Sequence, residues 1–141
     1  MKNLTVNSEF KKIEKNKIHS LVNSLSKSLE FKIKSIEISF ISRSIIQNIN
    51  KTHLNHNYST DIITFDYSEN KKLLEGEILI SVDDALENSK KYNVSFKEEI
   101  CRLIIHGFLH LLGYNDVKTA EKRKMKLMEN QLLNRFKFIL L

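Results

Sequence analysis

The chain has 141 residues, 41% of them hydrophobic and 28% charged, with a formal net charge of +6. That length suits one hydrophobic core rather than two, and no apolar run approaches the ~20 residues of a membrane span. The single cysteine, Cys101, excludes an intramolecular disulfide, and residues 1–8 lack the apolar core of a secretory leader, so the chain reads as cytoplasmic.

In chain order, residues 2–7 read as a short strand with Leu4 and Val6 on one face. Ser8 is a candidate N-cap for a helix over residues 9–29, whose apolar stripe is Phe10, Ile13, Ile18, Leu21, Val22, Leu25 and Leu29. Ile36, Ile38 and Phe40 then mark the buried face of a second strand. A helix opened by Ser42 or Ser44 turns Ile45, Ile46 and Ile49 inward. Residues 53–59 form a polar connection, and its histidines, His53 and His56, read as solvated. Residues 61–67 and 74–82 are two more strands. Asp83 and Asp84 suit the positive end of the helix that follows, which runs to about Tyr92.

Residues 95–116 carry the chemistry. Ser95 with Glu98 three positions on is a capping box. Ile100, Leu103, Ile104, Ile105, Phe108, Leu109, Leu111 and Leu112 make the helix apolar almost all round, as a buried central helix is. His106 and His110 stand four apart, so both imidazoles project from one face and can reach one ion. Gly113 suits the helix end, and the chain then turns to present Asp116. Three protein ligands with an open position describe a catalytic zinc site. Gly107 stands where the HExxH metalloproteases place their general base, so that peptide-cleaving motif is absent. Glu99, seven residues before His106, projects near the same face and reads as an exposed helix residue ahead of a support for a ligating imidazole, and Cys101, half a revolution from His110, reads as a core thiol.

A last helix, capped by Thr119, runs to about Phe136 and turns Ala120, Leu127, Met128, Leu132 and Phe136 inward. Lys118, Lys122, Arg123 and Lys126 crowd its start, beside the expected metal site. Such a surface suits a phosphate backbone, although a solvated helix face has the same composition. The expected architecture is one α+β domain over residues 1–141, a four-stranded mixed sheet packed with about five helices, the metal site on the central helix.

The run His106-Gly107-Phe108-Leu109-His110-Leu111-Leu112-Gly113-Tyr114 resembles the HGxLHLxGYxH signature of the YbeY family of bacterial rRNA-maturation endoribonucleases. STDIITF at residues 59–65 resembles the family's PTDVLSF, and GEILIS at residues 76–81 resembles its GDIxIS. The chain departs from the pattern twice. Asp116 stands where the family has its third histidine, and Leu54 falls where many members carry an arginine implicated in the chemistry. The resemblance implies a zinc-dependent, single-strand-specific endoribonuclease of late small-subunit rRNA maturation and ribosome quality control. It implies one zinc per chain on His106, His110 and Asp116. Its implied partners are rRNA, the ribosomal small subunit, and ribosomal or GTPase proteins. Asp116 makes a two-His, one-carboxylate set that iron, manganese or nickel can also occupy. Two other readings stay open: a non-catalytic assembly factor with a structural metal, and a metallohydrolase of another substrate.

Overall fold

Alternating apolar residues build four strands: β1 (Leu4–Asn7), β2 (Lys32–Ile41), β3 (Ile62–Asp66) and β4 (Leu73–Ser81). They form one mixed sheet in the order β1-β2-β4-β3, with β1, β2 and β4 parallel and β3 antiparallel to β4. Registers such as Leu4 opposite Ile36, Ile38 opposite Ile78 and Phe40 opposite Ile80 line up one buried row across the sheet. A register shift between Ile33 and Ser35 lets Ile33 and Ile36, an odd number of residues apart, both reach the core. The computed structural model describes residues 2–53 and 60–141; the expectations for Leu54 and His56 lie outside the described residues.

Five helices pack with this sheet: α1 (Lys15–Leu29), α2 (Arg43–His53), α3 (Val82–Lys91), α4 (Phe96–Leu111) and α5 (Thr119–Phe136), the last followed by a 3-10 turn over Lys137–Ile139. The central helix is α4, and its Ile100, Cys101, Leu103, Ile104, Ile105, Phe108, Leu109 and Leu111 are all buried. Phe108 stacks on Phe31 at 5.5 Å between ring centroids. Gly107 lets α4 lie close on β4, since a Cβ there would come within 3.0 Å of the Ile78 side chain. The Ser95 hydroxyl accepts from the Glu98 amide at 3.0 Å and fixes the start of α4. Gly113, at φ 99°, takes the positive dihedral that ends it. Asp83 and Asp84 occupy the first turn of α3, and Arg43 joins them through its backbone amide and its guanidinium. Cys101 is a core thiol, pushed up to about 12 chiefly by burial.

Three boundaries or faces differ from the sequence reading. Helix α1 begins at Lys15 rather than near residue 9, because the Ser8 hydroxyl closes a local turn on the Phe10 amide at 3.0 Å instead of capping a helix. Ile45 is 50% exposed while its neighbour Ile46 is fully buried, so α2 presents a narrower apolar stripe than its isoleucines suggest. In α5 the inward stripe is Met125, Glu129 and Leu132, with Ala120 exposed, Leu127 61% exposed, and Thr119 making no side-chain cap. The phase of that helix is set by Glu129, a charged residue standing at a core position.

Candidate metal centre

Two consecutive turns near the C-terminal end of α4 place His106 and His110 on one face, their rings edge to face at 4.8 Å between centroids. Their Nε2 atoms are 3.2 Å apart. Beyond Gly113 the backbone folds back, with the Gly113 amide donating to the His110 carbonyl and the Tyr114 amide to that of Leu109. This turn brings Asp116 Oδ2 to 3.8 Å from each Nε2. The three donors are the one group of three or more His, Cys, Asp or Glu side chains, among the described residues, placed to share a metal ion.

The donor set fits a zinc-sized ion. Bonds of about 2.0–2.1 Å at tetrahedral angles put ligand atoms about 3.3 Å apart, close to the separations of 3.2 and 3.8 Å found here. The side chains are 21%, 31% and 42% exposed, so solvent reaches the centre from the Asp116 side. Burial first, then the neighbouring His106, hold the His110 imidazole below its ordinary value, and the ring also hydrogen-bonds the Tyr114 backbone. A neutral His110 ring has the lone pair that a cation needs.

Behind His106 lies a network of buried charge. Glu129 of α5 reaches the His106 Nδ1 with its Oε1, 2.6 Å away. With Nδ1 donating to the carboxylate, Nε2 is left as an acceptor facing His110 and Asp116. The other Glu129 oxygen accepts from Arg102 Nη1 at 3.4 Å and Lys126 Nζ at 3.1 Å. Arg102 also forks onto Glu99, with Nε–Oε1 at 2.8 Å and Nη2–Oε2 at 2.5 Å. Asn88 of α3 donates to both Glu99, at 3.2 Å, and Asp61, at 3.1 Å, tying the network to the start of β3. Burial alone would raise the Glu129 carboxyl, but the His106 hydrogen bond, the Arg102 charge and the Lys126 bond bring it down to about 2. The Asp61 carboxyl is pushed up by burial despite Arg102 and Asn88.

This network corrects the reading of Glu99. It is 1% exposed rather than an exposed helix residue, and its hydrogen bonds go to Arg102 and Asn88. Arg102 and Glu129 are site residues that the sequence reading misses. A signal exists for Glu99 and Arg102: charged residues on a helix that is apolar all round must find partners. Nothing local announces that the partner of His106 sits on another helix.

A cleft of about 500 Å³ opens beside His106 and Asp116. Its walls include His106, Asp116, Arg102 and Glu129, and its rim carries Lys122, Arg123 and Lys126 of α5. Lys118, the residue before α5, is exposed and does not line it. No described helix is long and apolar enough to cross a membrane.

A family model described as Endoribonuclease YbeY matches residues 2–137. A protein of that name from Cytophaga hutchinsonii is 38% identical over 121 residues, covering 86% of this chain and 85% of the relative. Another, from Azobacteroides pseudotrichonymphae, is 44% identical over 98 residues, 70% of each chain. The fold is similar to the solution structure of a Thermotoga maritima protein, with a TM-score of 0.65 over 95% of this chain and 91% of that one, at 22% identity.

Proposed function

The chain belongs to the Endoribonuclease YbeY family, and on that premise we propose that it hydrolyses RNA phosphodiester bonds at a centre made by His106, His110 and Asp116. The observation that carries the assignment is the convergence of two Nε2 atoms and one carboxylate oxygen, within 3.2 to 3.8 Å of one another, with His106 and Asp116 lining a cleft that also carries Lys122, Arg123 and Lys126. The finer reading is one zinc per chain and a single-stranded rRNA substrate in late small-subunit maturation and ribosome quality control. It places the protein in the cytoplasm, with the ribosomal small subunit, ribosomal proteins or a GTPase as partners.

When bound, zinc supplies Lewis acidity, which lowers the pKa of a water to about 7 and offsets charge gathering on a phosphoryl oxygen. The chain supplies the rest. His106 and His110 hold the ion with neutral rings, and Glu129 keeps the His106 proton on Nδ1, away from the cleft. Asp116 adds one negative charge where the family pattern has an imidazole, which makes the site less acidifying and open to divalent iron or manganese as well. Lys122, Arg123 and Lys126 on the cleft rim, with Lys118 just outside it, hold the RNA backbone by neutralising phosphates.

The test is cleavage of an end-labelled single-stranded RNA containing the 3′ region of a small-subunit rRNA. The zinc-loaded chain cuts it, a chelator stops the cutting, added zinc restores it, and His110→Ala is inactive throughout. Cleavage that survives both chelation and His110→Ala would overturn the proposal.

A further inference from the structure

Arg102, His106 and His110 are spaced four apart on α4, so a guanidinium lies one helical turn behind the two imidazoles on the same face. Its hydrogen bonds go elsewhere. Its three nitrogens go to two carboxylates, Glu99 and Glu129, each 1% exposed. Two buried carboxylates on neighbouring helices repel each other and both need donors. Of the two cations that reach Glu129, Lys126 is 58% exposed and free to leave, whereas Arg102 is 20% exposed and locked by its fork on Glu99. Arg102 is thus the fixed member of the pair. By occupying Glu129 Oε2 it leaves Oε1 aimed at His106 Nδ1, 2.6 Å away.

We infer that Arg102 is a positioning residue for the metal centre, acting on His106 through Glu129. The cation never meets the metal ion. It sets the angle of a carboxylate, the carboxylate sets the ring plane and proton of His106, and the ring presents Nε2 to the ion. Partners that orient a ligating histidine are worth about 10- to 100-fold in metal affinity. Arg102 exerts that effect at one remove, so its contribution exists only while Glu129 is present. The inference rests on the metal-centre reading of His106, His110 and Asp116, although not on the RNA substrate.

The experiment is a double-variant cycle in zinc affinity, measured by chelator competition on the full chain. Arg102→Gln removes the fork, Glu129→Gln removes the acceptor charge, and the third variant carries both. Each single variant weakens zinc binding about tenfold or more, and the double variant is no weaker than Glu129→Gln alone, because the two act in series. In histidine-labelled NMR spectra, the His106 Nδ1 proton, protected by Glu129 in the parent, exchanges rapidly in Arg102→Gln, and Arg102→Lys restores part of that protection. If Arg102→Gln does not fold, Arg102→Lys, which keeps the charge without the fork, takes its place in the cycle. Zinc losses that multiply in the double variant, or an Arg102 variant with parental affinity, would overturn the inference. A parent chain that binds no zinc would overturn the metal-centre reading first, and this inference with it.

Discussion

His106 Nδ1 and Glu129 Oε1 lie 2.6 Å apart although 23 positions separate them in the chain. One belongs to the central helix and faces the cleft; the other enters from the last helix and is buried. Their contact fixes which nitrogen of His106 remains to bind a cation, and it makes the packing of α5 on α4 part of the site.

The first prediction concerns acid stability. Glu129 is held at about 2, well below its ordinary value of 4.5. A carboxyl depressed in the folded state adds stability that is fully present above its unfolded value and is lost as pH falls through the folded one. The metal-free protein therefore loses on the order of 3 kcal/mol between about pH 5 and pH 2 from this group. Asp61, raised by burial, contributes in the opposite sense. Urea unfolding across that range shows a flatter pH dependence in Glu129→Gln than in the parent; identical slopes would contradict the assignment.

The second concerns Asp116. Its side chain is 42% exposed, so removing it costs the fold little. Asp116→Ala keeps the parental melting temperature without metal but loses bound zinc and RNA cleavage. Asp116→His, which restores three imidazoles, regains zinc. Metal content unchanged in Asp116→Ala would remove this residue from the ligand set.

The third concerns the turn that delivers Asp116. Gly113 has φ 99°, and a Cβ added to it would meet nothing within 4 Å, so substitution there meets backbone strain alone. Gly113→Ala costs about 1–2 kcal/mol and weakens zinc binding, because the strain relaxes by moving residues 114–116. Gly113→Asn, which tolerates positive φ better, loses less of both. Thermal unfolding with and without zinc separates the two effects.

How much of this is legible in the sequence follows from where each interaction lies. The extent and apolar face of the central helix are legible, because Ser95 with Glu98, an apolar run and Gly113 are all local signals, whereas the burial of its Glu99 is not. His106 and His110 come with that helix, since their relation is helical periodicity, and Asp116 sits just beyond the turn. The network behind them does not read in the same way. Glu129 is a core residue by position and a surface residue by type, so apolar counting shifts the face of α5 and puts Leu127 wrongly inside. The pairing of Arg102 with Glu129 crosses from α4 to α5, and no spacing rule connects residues on two helices. The start of α1 fails for a different reason: a serine before a helical pattern can close a turn on its own backbone as well as cap a helix.

The fourth prediction concerns the cleft rim. Lys122 and Arg123 line the cleft and make none of the hydrogen bonds or ion pairs at the three donors. Lys122→Ala with Arg123→Ala leaves zinc content unchanged and weakens RNA binding across all sequences. The slope of log affinity against log salt falls by about 1.4 for two lost contacts to a single strand. Filter binding at several salt concentrations measures it, and an unchanged slope would return these cations to the role of a solvated helix face.

X-ray absorption at the zinc edge, on chain loaded with one equivalent of zinc, addresses the central geometry most directly. The expected spectrum shows two imidazole nitrogens and one carboxylate oxygen at about 2.0–2.1 Å, with a fourth position held by a light solvent atom, and the loss of one imidazole in His110→Ala. A spectrum showing a sulfur ligand, a fourth protein side chain closing the site, or no change in His110→Ala would contradict it.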